Sequence, residues 1–367
     1  MDILDSQTTQ APTLQAQTTQ PPTRYLGIDI AKAKFDCALL LVGKPNQPKQ
    51  LNQAKQGDTT NKPYKHSYKD RQFTNDFAGY KALVVWLNDL HIDTSQLHIC
   101  MEATGVYSED LAAYLIDLGI RVSVVNPARI ASFSRSENIC GKTDIQDARG
   151  IALFCARMQP AVHIPAPASE RALLHLARQR QHLKLTLQAE QNRLSTCAPV
   201  IRGSITQVIE TLERELAVLE QAMKDHIDDN PELKQNKALL STIPGVADIT
   251  AAWLLAYLGN GERFERGKQA AKFAGLAPRE WVSGSSVRGK TSISKTGSSE
   301  LRAVLYMPAM AVFCRSCGYP EFVARLRASG KNNKQIIVAV MRKILTIAQA
   351  VLRSKIPFDR SFHATLA

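Results

Sequence analysis

Four carboxylates in the first half of the chain stand where an acid is either costly or informative. Asp29 lies inside the apolar run 25–30, where an unpaired charge is expensive to desolvate. Glu102 closes a second apolar run, just before Ala103-Thr-Gly105. Asp144 and Asp147 are three apart at the predicted start of a helix, so they share one face. Clustered carboxylates repel one another, and a hard oxygen-seeking cation such as Mg²⁺ or Mn²⁺ is the usual remedy. Two such ions can position the attacking and leaving oxygens of a phosphodiester. Helix capping is a plainer use for Asp144 and Asp147, and a loop start for Glu102. Asp29 has no equally plain use.

A second constellation lies at 279–299, a Gly/Ser/basic segment in which Ser283, Ser285 and Ser286 sit beside Arg279, Arg288, Lys290 and Lys295. One of its serines could attack a DNA phosphate while the cations stabilise charge on the phosphoryl oxygens. Composition favours the plainer reading, a loop that contacts phosphate without doing chemistry. Spacing does not choose between these, and no His lies nearby in sequence to act as base.

The elements that must position these groups follow from periodicity. Strands are predicted at 24–30, 35–42, 97–102 and 120–125, and helices at 77–90, 108–118 and 144–157; this alternation argues for an α/β layer. Open α/β sheets bind ligands at the carboxyl ends of their strands, so segments distant in sequence can bring the four acids together. Residues 1–23, rich in Gln, Thr and Pro, read as a disordered tail. The polar stretch 43–72 reads as a flexible insertion at a hairpin tip, with its last few residues able to re-enter a strand. From 165 to 235 apolar positions recur at three and four, predicting a helical hairpin or coiled coil interrupted at Pro199 and Gly203, with Arg180 and Glu190 at core positions. Residues 238–360 read as a mainly helical domain. It opens on Ile243-Pro-Gly245, a tight turn that resembles a phosphate-gripping helix-hairpin-helix, although Ala247 replaces its usual second glycine.

The 367-residue chain carries 46 Lys and Arg against 33 Asp and Glu, a net charge of +13, which favours a polyanionic partner. Its longest apolar runs fall short of the roughly 20 residues a membrane span needs, and no secretory signal pattern opens it. A cytosolic protein with no membrane partner is expected. Seven scattered cysteines fit reduced thiols rather than a disulfide framework, and Cys314-Arg-Ser-Cys317 alone is a poor zinc site.

Taken together, the blocks Tyr25-Leu-Gly-Ile-Asp29-Ile-Ala-Lys, Cys100-Met-Glu102-Ala-Thr-Gly, Val124-Val-Asn-Pro127 and Lys142-Thr-Asp144-Ile-Gln-Asp147-Ala-Arg149 resemble the amino-terminal DEDD domain of the transposases of insertion sequence 110 and its relatives. Ile243-Pro-Gly245, Phe273-Ala-Gly-Leu276, Ser283-Gly-Ser-Ser-Val-Arg-Gly289, Tyr306-Met-Pro-Ala309 and Met341-Arg-Lys343 resemble that family's carboxyl-terminal domain. The ordered match runs over 24–360. It implies an RNase H-like (RuvC-like) domain at 24–160, a helical coiled-coil arm, and a mainly α transposase domain. It implies that Asp29, Glu102, Asp144 and Asp147 hold the metal and that Ser283 forms a phosphoserine link to DNA. Lys142, Arg149, Arg279, Ser285, Ser286, Arg288, Lys290 and Lys295 are then candidate nucleic-acid contacts. It further implies donor and target DNA, a guide (bridge) RNA, and a tetramer, a dimer of dimers in which one subunit's acidic site meets another's serine. Two rivals stand beside this reading: a metal-dependent nuclease or Holliday-junction resolvase with no covalent intermediate, and an idle nucleic-acid binder, against which the full set of acids speaks.

Overall fold

Strand β1 (Arg24–Ile30) is buried along nearly its whole length, the pattern of a strand covered on both faces. It pairs antiparallel with β2 (Lys34–Leu41), which pairs antiparallel with β3 (Ser67–Thr74). Helix α1 (Phe77–Asp89), capped by the Asp76 side chain, leads to β4 (Leu97–Glu102), parallel to β1. Helix α2 (Val106–Asp117), β5 (Arg121–Val125), α3 (Pro127–Ser136) and α4 (Asp144–Met158) follow, with β5 parallel to β4. The sheet order β3-β2-β1-β4-β5 is the RNase H-like arrangement.

The computed structural model describes residues 22–41, 66–137, 143–279, 282–283, 287–288, 292–315 and 318–359. They fall into two compact units that divide between Pro165 and Ala166. In the first, period-two alternation sends Leu26, Ile28, Phe35 and Leu39 to one face of the sheet, where they pack with Leu83 and Leu111 of α1 and α2. Tyr25, Leu40 and Cys100 go to the other face, under Ile151, Phe154 and Cys155 of α4.

One expected boundary changes here. The proposed insertion 43–72 includes six residues of β3, which pairs with β2 from Leu41↔Ser67 to Lys34↔Thr74. A solvent-facing edge strand tolerates charge on its outer positions, and only Phe73 of β3 is buried. The tail 1–21 and residues 42–65 lie outside the described residues. Removing residues 44–64, which carry almost no apolar anchors, is expected to shift Tm by no more than about 2 °C and leave DNA strand exchange intact. A thermal melt and a plasmid recombination assay check this, and lost RNA binding by the deletion would show the segment to be a working arm.

The second unit begins with α5 (Ala168–Thr196) and α6 (Pro199–Asp228), long helices packed along each other. Pro199 does not interrupt a helix: it occupies the first turn of α6, where a missing N–H costs nothing. Gly203 lies within α6. Arg180, buried in the seam, is matched by Glu220, whose carboxylate accepts from its Nε at 2.7 Å. The same unit contains α7 (Pro231–Leu240), α8 (Asp248–Leu258) and α9 (Gly267–Phe273), then two short ladders. Strand β6 (Pro278–Arg279) pairs with β9 (Ser292–Ile293), and β7 (Val282–Ser283) with β8 (Val287–Arg288). Helices α10 (Ser299–Val304), α11 (Tyr306–Arg315), α12 (Pro320–Ala328) and α13 (Asn333–Ser354) complete it. Helix α8, buried on all sides, is the centre of the core. Among the described residues α13 alone is long and apolar enough to cross a membrane, and 67% of its apolar stretch is buried against the other helices.

Candidate active site

Gly27 decides where α4 lies. A Cβ there would stand 2.1 Å from the Ala148 carbonyl oxygen and 2.3 Å from the Ala152 nitrogen, so the helix backbone rests directly on β1. Asp29 follows Gly27 by one pleat on the same face. One helical turn before Ala148 and Ile151, α4 carries Asp144 and Asp147 at its first turn, capped by the Thr143 hydroxyl. Alternation places Glu102 on this face as well, beyond Cys100 at the end of β4. Substituting Gly27 by Ala is expected to cost about 3 kcal/mol, lowering Tm by roughly 6–12 °C. A melt within 2 °C of the wild type would show that α4 does not need this close approach.

Three of these acids act on the fourth, Asp29. Burial raises the Asp29 carboxyl to about 6, with further contributions in order from Asp147, Glu102, Asp144 and Asp36. Glu102 is raised by burial and by Asp147. Asp144, in contrast, is held below the usual carboxylate range by its hydrogen bond from Lys34. Lys34 Nζ stands 2.7 Å from Asp144 Oδ2 and 3.2 Å from Asp36 Oδ2, and Asp36 also accepts from Gln72 Nε2 at 2.8 Å.

Asp36 and Lys34 were missed in the sequence. Asp36 sits between Phe35 and Cys37 in an apolar strand and is 3% exposed, the same signal that singled out Asp29, which it faces directly across the β1–β2 pair. Two buried oxygens, Thr104 Oγ1 and Gln146 Oε1, have no hydrogen-bond partner on the protein; they neighbour Glu102 and the two α4 aspartates in sequence. An oxygen-only donor set with mutually repelling charges fits a hard divalent cation. Among the described residues, however, no three His, Cys, Asp or Glu side chains stand in position to close a metal site. The ammonium of Lys34 holds Asp144 instead.

The candidate nucleic-acid contacts fare unequally. Arg149 is engaged within the protein, its guanidinium against the Asp70 carboxylate and over the Tyr68 ring. Lys142, Ser285, Ser286 and Lys290 lie outside the described residues. Ser283 ends β7, opposite Val287 of β8, and the three residues between them complete the serine block. The base of this segment is fixed to the end of α9: Ser294 N–H donates to the Ala277 carbonyl, Lys295 N–H to Gly275 and Ser298 N–H to Phe273, at 2.8–3.1 Å. Gly297, at φ 126°, leaves no room for a Cβ, which would meet the Phe273 oxygen at 2.0 Å. Arg279 and Lys295 are exposed near this base.

At the Pro-Gly turn, Gly245 needs its positive φ of 86°, but Ala247 is extended at φ −103°, a conformation open to any residue. Asp248, the first residue of α8, pairs with Lys237 at 3.0 Å, placing an acid where a phosphate would have to bind.

The basic residues after 324 include some with internal duties. Lys355 Nζ donates to Asn236 and to the Asn260 carbonyl, and Arg353 donates to the Glu265 carbonyl. Arg325, Arg327 and Lys343 lie over the rings of Phe322, Phe313 and the buried Tyr319. With about four of these cations meeting phosphate, DNA affinity is expected to fall on the order of a hundredfold between about 50 and 200 mM salt. A fluorescence-anisotropy titration across that range measures it, and a flat response would mean that water alone meets this face.

Comparison with known proteins adds the family. A model described as "Transposase IS116/IS110/IS902 family" matches residues 237–327, and another described as "Transposase" matches residues 59–200. Pilin gene-inverting proteins of Moraxella bovis and Moraxella lacunata are each 36% identical over 340 residues, 92% of this chain and 98% of theirs. The transposase for insertion sequence element IS1328 of Yersinia enterocolitica is 27% identical over 237 residues, 53% of this chain and 65% of that one. With both halves matched in order and similarity along nearly its whole length, this chain belongs to the IS116/IS110/IS902 family of transposases, enzymes that act on DNA.

Proposed function

We propose that this chain is an RNA-guided DNA recombinase that cuts and rejoins strands through a phosphoserine at Ser283, assisted by divalent metal at Asp29, Glu102, Asp144 and Asp147. The observation that supports the reading is that Asp147, Glu102 and Asp144 each act on Asp29, adding to the burial that raises its carboxyl to about 6. Mg²⁺ or Mn²⁺ bound there would neutralise the phosphate and stabilise the leaving oxygen.

The serine chemistry balances without an external energy source. The Ser283 Oγ–P bond forms as one P–O bond to a deoxyribose breaks; the serine proton is released, and the departing oxygen leaves as a hydroxyl. A new strand's hydroxyl then attacks the phosphoserine and restores Ser283. The ester keeps the energy of the broken phosphodiester, so rejoining needs no ATP.

Support for recombination, as opposed to simple cutting, comes from the relatives named for inverting a pilin gene. The guide RNA and the tetrameric assembly rest on the family resemblance, and the bacterial cytosol is where such DNA would be met. The deciding experiment runs the full-length protein, purified with the RNA it binds in the cell, with DNA and Mg²⁺ on a denaturing gel. A covalent protein–DNA adduct supports the recombinase. Metal-dependent cutting with no adduct would replace it with a nuclease or junction resolvase, and binding without cutting with an idle binder.

A further inference from the structure

Within a cluster of five acids, one cation of the protein's own is already in place. Lys34 opens β2 and shares the α4-facing side of the sheet with Asp36, two residues on. Its ammonium bridges Asp36 on the sheet to Asp144 on the first turn of α4, at 3.2 and 2.7 Å. The two partners differ. Asp36 is buried and has a second donor in Gln72, so its carboxylate is fixed. Asp144 has a half-exposed side chain at a helix start, so its carboxylate is free to rotate. The lysine is therefore anchored on the side of Asp36 and exchangeable on the side of Asp144.

We infer that Lys34 is a resident counterion that competes with a divalent cation for Asp144. This rests on the proposed metal site and deepens it. It accounts for the finding that, among the described residues, no three side chains close a metal site: the Asp144 carboxylate is turned to an ammonium. A metal that recruits Asp144 must displace that ammonium, and until then the lysine neutralises part of the repulsion that the fold imposes. Lys34 is thus a positioning residue that sets the metal concentration at which the site fills.

The test is Mn²⁺ titration of the full-length protein, free of nucleic acid, by calorimetry, with the Mn²⁺-induced gain in Tm as a second reading. Lys34→Met keeps the aliphatic stem and removes the competitor, so it is expected to bind Mn²⁺ about tenfold more tightly than wild type. Lys34→Arg should bind as wild type does. Adding Lys34→Met to Asp144→Asn should bring no gain over Asp144→Asn alone, because the contested ligand is gone. Lys34→Gln serves if the methionine variant fails to fold. Unchanged or weaker Mn²⁺ binding by Lys34→Met would overturn the inference, since a merely structural lysine gives one of those results. The metal site itself is judged separately by Asp29→Asn. If that variant binds Mn²⁺ as wild type does, the metal reading falls whatever Lys34 does.

Discussion

Ser283→Ala is expected to abolish both the covalent protein–DNA adduct and recombination, a loss on the order of 10⁴-fold or more, while DNA and RNA binding stay nearly intact. The size follows from the role. Removing a nucleophile leaves only the catalysis that positioning and charge stabilisation supply, and comparable deletions elsewhere cost several orders of magnitude. Binding survives because one hydroxyl is lost and no charge. The fold should be unaffected as well: the β7–β8 ladder that carries Ser283 is held by backbone pairing, and the segment's base is fixed to α9 by main-chain bonds from Ser294, Lys295 and Ser298.

Ser285→Ala and Ser286→Ala should retain at least part of the activity, since the nucleophile proposed is the first serine of the block. Peptide mapping of a trapped adduct by mass spectrometry identifies the residue. An adduct on Ser285 or Ser286 would move the chemistry to that serine. Full recombination by Ser283→Ala with no adduct anywhere would leave the carboxylates to cut alone.

The sequence was most legible where burial and periodicity agree. Strands β1, β2, β4 and β5 and helices α1, α2 and α4 all carry their apolar residues at the period of their element, and their expected bounds lie within about two residues of those found. Helix α3 escaped notice because only Ile130 of its ten residues is buried; its signal lay in the Asn126 cap and in Pro127 at the first turn, the preferred chemistry of a helix start. Strand β3 was hidden by its polarity, and the ladders around Ser283 by having two residues per strand.

For the site, single residues were readable and their partners were not. Asp29 declared itself by the cost of a charge in an apolar strand. The same argument applied to Asp36, but only the register that sets it opposite Asp29 shows that it belongs to the cluster. Lys34 resembles any surface lysine until the fold brings together residues 110 positions apart. Arg149 invited the opposite error, because its neighbour Asp70 lies within the stretch read as an insertion.

Asp29→Asn should produce two effects of opposite sign, which is why it tests the acid cluster more sharply than loss of activity alone. The folded protein holds the Asp29 proton up to about pH 6, against an ordinary value of 3.8, so folding is favoured by the protonated form. That stabilisation is complete below about pH 4 and is lost as pH rises through 6; above this the ionised carboxylate is a constant penalty. Asparagine removes the penalty. Because Asp29 is only partly buried, solvent screening limits the penalty to about 1 kcal/mol, or roughly 2–4 °C in Tm for a unit of this size. At pH 7.5 without metal, Asp29→Asn is therefore expected to melt higher than wild type, and at pH 4 the two should melt together. Function should move the other way. Losing a proposed metal ligand is expected to cost at least about a hundredfold in strand cleavage, more than loss of a supporting outer contact. The wild type itself should lose activity below pH 6, as protonated Asp29 ceases to be a ligand. Melting at the two pH values and a plasmid recombination assay over pH 5–8 read both effects. A lower melt at pH 7.5 would mean that the Asp29 charge stabilises the fold, and undiminished recombination would remove Asp29 from the metal site.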